Sequence, residues 1–527
     1  MNQISVFESP KPAFSAQAAL GLLQRDYGIT GSLRELVSER DQNFLVDGPG
    51  GRFVLKIANA VEDAGFLALQ NAALKHVALA DPSLGVQRVV AAKGGAEIID
   101  WNGHAVRLLT FLPGELYSAA GSSPALLESL GRFMGRLSRA MKGFGHPAAY
   151  RPGFLWNLDE AMAVKPWLAD ITPGRRDLVA RIFARYEARV LPRLPLLRAA
   201  VLHQDANDNN IVVDKDTATV TGLIDFGDMT HGRQINELAV TLAYALLDVE
   251  DVYKSAAPLI SAYAKEFPLE AEEAEILFDL VAARLAMSVC ISSHRAKDFP
   301  DNDYLLVSQG PAFRLLERLD KTNPHFLAAF ARHAAGLEPV TASKAVTDWL
   351  ASPGCRPAGM FGIDLNRSGR LLLSLQSNAP GMEHGADPEA YWNWLENRFH
   401  EEDAQFAIGL YGEVRDVYKG EQFRTPASPE WRSQHLGVDI FIADGTPLFA
   451  PLAAKVLSVA DNALPFDYGP TVILEHRAGE NGPAFWTLYG HLSRETLEMV
   501  REGQEIAAGQ QIGSIGGHQV NSGWGPP

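Results

Sequence analysis

Two stretches of this 527-residue chain carry side chains whose types and spacing can do chemistry. The first is His203-Gln204-Asp205 followed by Asn210, the pattern H-x-D-x-x-x-x-N, with Asp225-Phe226-Gly227 further along after the apolar run 220–224. A carboxylate such as Asp205 can orient an attacking hydroxyl and accept its proton, while Asn210 and Asp225 offer the oxygen ligands that Mg²⁺ prefers. Phosphoryl transfer from ATP needs those parts, because charge spreads over the oxygens of the transferred group and a metal must neutralise it. Lys56 stands inside the strand-like run Phe53-Val54-Leu55-Lys56-Ile57, where such chemistry keeps a cation for the α- and β-phosphates. Alone, Lys56 reads as a solvent-facing strand lysine and Asp225-Phe226-Gly227 as a turn. The ordered set carries the signal.

The second stretch pairs His435 with Asp439, as H-x-x-x-D, and continues to Leu488-Tyr489-Gly490-His491-Leu492. His518, in Gly516-Gly517-His518, lies near the end of the chain, which closes on Gly523-Trp524-Gly525-Pro526-Pro527.

The elements that must position these residues follow from periodicity and punctuation. Helical spacing over 16–27 stops at Asp26-Tyr27-Gly28, and the runs 43–46 and 52–57 around Asp47-Gly48-Pro49-Gly50-Gly51 form a hairpin. A helix over 66–77 and strands near 87–91, 97–100 and 107–112 complete a first lobe, residues 1–112, closed by Pro113-Gly114. Residues 113–336 are mostly helical, with a β-rich island over 201–227. A linker, 337–358, holds Pro339, Pro353, Gly354 and Pro357 around a short helix at 343–350. Short strands at 455–459, 471–476, 485–490 and 511–515 make 359–527 an all-β domain with small helices. The fold class expected is α+β and multidomain.

Composition limits the functions open to the chain. It is 47% hydrophobic, 9% aromatic and 21% charged, which suits a globular protein of several domains. With 47 Lys+Arg against 63 Asp+Glu the net charge is −16, a poor match for non-specific nucleic-acid or anionic-membrane binding. Two cysteines, Cys290 and Cys355, exclude a disulfide framework. Without a signal-peptide layout at the start, or an uninterrupted apolar run of about 18 residues, the expectation is a cytoplasmic protein that binds neither nucleic acid nor membrane.

Over residues 15–335 the first motif set resembles the aminoglycoside phosphotransferase and hydroxylysine kinase-like group. That resemblance implies a two-lobed, protein-kinase-like fold that uses ATP and Mg²⁺. It implies Asp205 as base, Asn210 and Asp225 on Mg²⁺, Lys56 on the phosphates, and a hinge near 109–112 where Leu109 and Phe111 meet the nucleotide. It also implies a nucleotide loop over 38–43, where backbone amides and the Ser38 and Asn43 side chains do the phosphate work. The chain departs from the pattern at one place: the helix after Lys56 has no central glutamate, and either Glu62 or Gln70 could orient the lysine. His203 is expected to pack the loop. The segment 288–295 lies where such enzymes hold acceptors, although an amphipathic helix explains it equally well. The acceptor implied is a small molecule with amine and hydroxyl groups.

From about Gly359 to Pro527 the second motif set resembles the M23, lysostaphin-like zinc peptidases, supported by the flanking runs 445–451 and 502–513. The resemblance implies His435 and Asp439 as Zn²⁺ ligands and His491 as a catalytic histidine. The His-x-His pair that completes such a site is absent, so weak zinc binding, no peptidase activity and a domain cut short are expected. Similar long proteins continue into an aminotransferase-like domain, a downstream partner absent from this chain. Two alternatives stand beside the kinase reading: a zinc metallopeptidase with a kinase-like accessory domain, and a fusion of two binding modules.

Overall fold

The computed structural model describes residues 11–38, 40–298, 309–366, 369–384, 387–415, 421–464, 467–517 and Val520. Glu39 of the expected nucleotide loop, His518 and 523–527 lie outside them. The chain divides into two compact units, Met1–Pro339 with Pro426–Ser428, and Val340–Thr425 with Pro429–Pro527.

The first unit opens with helix α1 (Ala16–Leu22), whose N-cap Ser15 accepts the amide of Ala18. An antiparallel sheet follows, built from β1 (Ser32–Leu36), β2 (Gln42–Gly48), β3 (Gly51–Ile57), β4 (Val89–Val90), β5 (Ile99–Trp101) and β6 (His104–Thr110). The spatial order is β1-β2-β3-β6-β4, with β5 also on β6. Sequence reading finds the β2–β3 hairpin but misses β1, whose Ser-Leu-Arg-Glu-Leu has little β propensity and is mostly exposed. Strand period two sorts the side chains. Phe44, Val46, Leu55, Ile57, Val106 and Leu108 enter one core with Ala19, Leu22 and Leu23 of α1. Asn43, Lys56, Arg107 and Leu109 take the alternate positions. Helix α2 (Ala64–Ala80), capped by Asp63, joins the larger core through Phe66, Leu69 and Leu74.

Strand β6 ends at Thr110, so residues 111–114 form the hinge, and β7 (Glu115–Leu116) pairs with the second lobe. That lobe is helical: α3 (Tyr117–Ala120), α4 (Pro124–Ala140), α5 (Pro173–Arg185), α6 (Ile235–Ala245), α7 (Val252–Glu266), α8 (Ala271–Asp298), α9 (Gln309–Asp320) and α10 (Pro324–Ala334). Its β-rich island consists of β8 (Ala199–Leu202), β9 (Ile211–Asp214), β10 (Thr219–Leu223) and β11 (Thr230–Arg233), with β9–β10 as a hairpin and β8 paired to β11. Helix α8 is apolar and long enough to cross a membrane, but 83% of its most apolar window is buried within the protein. Asp279 and Arg284 interrupt it, so it is no continuous apolar run.

The second unit is strand-rich. Helix α11 (Ser343–Leu350) precedes β12 (Arg370–Leu373), which runs parallel to β13 (Phe406–Gly409), itself antiparallel to β14 (Asp439–Phe441). Helix α12 (Pro388–Glu401) supplies Tyr391 and Leu395 to a cluster with Leu371, Leu375, Ala407 and Phe441, and Trp392 and Trp394 pack against it. A separate core lies beneath β15 (Pro447–Phe449), β16 (Ala454–Asn462), β17 (Gly469–Arg477), β18 (Ala484–Tyr489), β19 (Glu505–Ile506) and β20 (Gln511–Ser514), with α13 (Thr496–Met499) between.

One close approach governs the helical lobe. A Cβ on Gly131 of α4 would meet the Leu259 carbonyl oxygen of α7 at 2.1 Å, and one on Gly135 the Tyr263 oxygen at 2.7 Å. Gly131→Ala gains about 1 kcal/mol of helix propensity but pushes a methyl into backbone that cannot yield, an overpacking cost of about 1–3 kcal/mol or more. We expect an apparent melting temperature lower by about 2–4 °C in thermal unfolding. An unchanged or higher value would show that α4 and α7 can move apart freely.

Candidate functional site

The loop between β8 and β9 carries His203, Asp205 and Asn210, and its shape is set by a buried carboxylate. Glu237, on α6 and 2% exposed, accepts the backbone amides of His203 at 2.8 Å and Gln204 at 3.2 Å. Burial pushes the Glu237 carboxyl up to about 7, and the two amides pull it back. Gln204 takes φ +67°, a left-handed backbone that Glu237 holds in place. His203 stands inside the fold: Nδ1 accepts the Asp205 amide at 3.2 Å, which leaves Nε2–H to donate to the Ile224 carbonyl at 3.1 Å. Burial pulls its imidazole down to about 4, so it is neutral.

Asp205 is held from several sides. Its Oδ2 accepts from Asn207 at 3.0 Å and Asn210 at 2.7 Å, and Arg284 of α8 reaches Oδ1 at 3.2 Å. Desolvation and the Asp228 carboxyl push the Asp205 carboxyl up, and Arg284 opposes them. Arg284 is 1% exposed, donates to the Trp156 carbonyl at 3.2 Å and stacks on the Trp156 and Tyr244 rings at 4.4 and 5.6 Å.

Asn210 and Asp225 stand at the two ends of the β9–β10 hairpin, closed by the Ile224 amide donating to the Asn210 carbonyl at 2.9 Å. Asn210 Nδ2 is spent on Asp205, which leaves its Oδ1 as an acceptor. Asp225 takes φ +58°, accepts the Gly227 amide at 3.2 Å and lies 3.7 Å from Lys56 Nζ. Lys56 holds the Asp225 carboxyl below its ordinary range. An amide oxygen and an ionised carboxylate at the mouth of one hairpin fit Mg²⁺, with Lys56 adjacent for phosphate.

The structure thus brings Lys56, Asp205, Asn210 and Asp225 together. Ser38 stands in the irregular segment after β1, and Asn43, on β2, is the register partner of Lys56. Leu109 sits inside the sheet instead, 3% exposed and paired with both Val54 and Val89. The strand ends at Thr110, two residues before the expected 112 and beyond Leu109, so the hinge starts at Phe111, whose ring lies under the Arg52 guanidinium at 4.5 Å. Neither residue considered as an orienter bonds Lys56: Gln70 accepts from Arg107, and Glu62 sits in the field of Arg40. Sequence reading also missed Arg284, Glu237, Arg107 and Asp228. A single charge inside an apolar helix, as at Arg284, is the one signal that would have marked any of them.

In the second unit His435 Nε2 and Asp439 Oδ1 are 3.6 Å apart. Asp439 also bonds Arg415, whose Nε donates to Glu413 at 3.0 Å, and Glu413 accepts from Ser374 and the Leu375 amide. His491 takes φ +58°, with its amide on the Tyr468 carbonyl and its own carbonyl on the Gly516 amide. Among the described residues no three His, Cys, Asp or Glu side chains gather as a metal site. A guanidinium on the carboxylate that would ligate zinc competes with the metal, so these residues do not fit Zn²⁺.

Residues 32–275 match the phosphotransferase enzyme family, and residues 433–526 match peptidase family M23. The hydroxylysine kinase of Danio rerio is 29% identical over 333 residues, covering 59% of this chain and 92% of that protein. The hydroxylysine kinase of Mus musculus is 26% identical over 343 residues, covering 59% and 90%. A solved structure, the microcompartment-associated aminopropanol kinase, aligns over 59% of this chain and 100% of its own with 17% identity and a TM-score of 0.49. The matches set a phosphotransferase-like region, which combines a β-sheet lobe with a helical lobe, before a strand-rich M23-like region, the order that the motifs imply. The protein is a small-molecule kinase.

Two outcomes follow from this geometry. The folded pKa of His203 lies below its unfolded value of about 6.5, so its contribution to stability is complete above that pH and lost as pH falls toward 4. Glu237, raised toward 7, acts with the opposite sign, losing stability as pH rises from about 4.5 to 7. His203→Gln should therefore flatten the acid-side fall in melting temperature between pH 6.5 and 4 relative to the parent. An identical pH dependence would place His203 in contact with water. For the second unit, metal analysis of dialysed full-length protein should find zinc well below one equivalent, and a full equivalent would overturn the assignment of Arg415 to Asp439.

Proposed function

We propose that the first unit transfers the γ-phosphoryl group of ATP to the hydroxyl of a small amine-bearing molecule, an amino alcohol or a hydroxylated amino acid. The observation that carries this is the convergence of Asp205, Asn210, Asp225 and Lys56 on one cleft between the sheet and the helical lobe. Similarity to proteins named hydroxylysine kinase supports the acceptor class, since hydroxylysine bears both groups.

In this reading Asp205 accepts the proton of the acceptor hydroxyl as its oxygen bonds to Pγ. The bond from Pγ to the β–γ bridging oxygen breaks, and ADP leaves with that oxygen. Asn210 Oδ1 and the Asp225 carboxylate would hold Mg²⁺, and Lys56 would hold the α- and β-phosphates. The metal, when bound, neutralises charge on the phosphate oxygens. A carboxyl raised from its ordinary range is the better proton acceptor near neutral pH, which is what burial and Asp228 do to Asp205. Arg284 keeps the carboxylate oriented and limits that rise. Consumption of ATP supports a cytoplasmic setting. No peptidase role is proposed for the M23 unit, because Arg415 occupies Asp439.

The test is an ATP-consumption screen over hydroxylated amino acids, amino alcohols and aminoglycosides, run beside Asp205→Asn. We expect turnover with amine-bearing alcohols, and a fall of about 10²–10⁴-fold in the variant with ATP affinity retained. Unchanged turnover in Asp205→Asn removes the base, and hits confined to acceptors without an amine remove the substrate class.

A further inference from the structure

The sheet carries a polar row that the catalytic loop does not explain. Asn43, Lys56 and Arg107 are register partners on β2, β3 and β6, so their side chains leave one face of the sheet side by side. Two like charges directly across a ladder repel, yet Lys56 and Arg107 occupy such a pair. Arg107 is moreover 2% exposed. Its hydrogen bonds go to neutral groups of α2: Nη1 donates to Asn71 Oδ1 at 3.1 Å and Nη2 to Gln70 Oε1 at 2.7 Å. Among the described residues no carboxylate forms an ion pair with it; Asp41, Asp225 and Glu62 act on it at longer range. Asn71 Nδ2, buried in the same contact, has no hydrogen-bond partner among the described residues.

A guanidinium desolvated against amide oxygens keeps its whole charge and bears the cost of burial without a counter-ion. Beside a lysine, in a cleft built for a polyanion, that cost is offset when the anion arrives. We propose that Arg107 is the second cation of the nucleotide-phosphate site, acting with Lys56, and that Gln70 and Asn71 orient it through neutral bonds so that its charge is left for the phosphates. This rests on the kinase reading above and accounts for the missing glutamate on the helix after Lys56. A carboxylate at that place would pair with Arg107 and cancel the charge.

Gln70→Glu tests this directly, because it keeps the shape of the contact and supplies the carboxylate. Binding of ATP, ADP, inorganic tripolyphosphate and adenosine is measured by calorimetry on the full chain, together with melting temperature. We expect the variant to melt at or above the parent, to bind ATP and tripolyphosphate about tenfold more weakly, a loss of about 1.4 kcal/mol, and to bind adenosine unchanged. A purely structural role for Arg107 predicts equal or tighter ATP binding by the better-anchored variant, and that result overturns the proposal. Should Gln70→Glu fail to fold, Arg107→Lys and Arg107→Met take its place. Lysine retaining phosphate affinity while methionine loses it supports the charge, and equal affinities for the two overturn it. A parent that binds adenosine but neither ATP nor tripolyphosphate overturns the kinase reading and this proposal together. A parent that binds both, with Gln70→Glu indistinguishable from it, overturns this proposal alone.

Discussion

A carboxylate largely withdrawn from water, Asp205, is the constraint on which the first unit turns. An ion in that position is unstable unless something compensates it, and the compensation comes from α8: Arg284 reaches Asp205 and is itself desolvated. The guanidinium then needs its own partners, found in the Trp156 carbonyl and the faces of Trp156 and Tyr244. The long apolar helix is central because it must deliver one cation to the floor of the cleft and hold it there. Glu237 plays the matching role for the loop backbone, and the strain at Gln204 persists because that carboxylate over-determines it.

Above the cleft the sheet solves a different problem with period two. One set of alternate side chains makes a small dry core with α1, and the other presents Asn43, Lys56 and Arg107. A one-residue slip in β3 would exchange the two sets and bury Lys56 in the wrong core. The register of the β2–β3 hairpin, set by the turn at 48–51, is thus as much part of the phosphate site as the lysine itself.

The second unit shows how a motif can stand without its chemistry. His435 and Asp439 keep the i, i+4 relation read from the chain, yet Asp439 is bound to Arg415 and Arg415 to Glu413. That chain of ion pairs joins the start of β14 to the segment after β13.

Residue order alone specifies what lies close along the chain. Asp205 with Asn210, the hairpin that ends in Asp225, the strand around Lys56 and the i, i+4 pair of His435 and Asp439 were all legible, because loop spacing and strand alternation are local properties. The helical and strand-rich regions were legible for the same reason, while β1 and the two ends of β6 were not, since none of them has a pattern that differs from its surroundings. Which distant groups meet depends on the packing of the whole unit. Arg284 meets Asp205 from 79 positions away along the chain, Glu237 meets His203 from 34, and Arg107 takes Gln70 from 37. These pairings follow from desolvation: each buried charge must find the complement that packing brings to it, and packing is set by the whole fold.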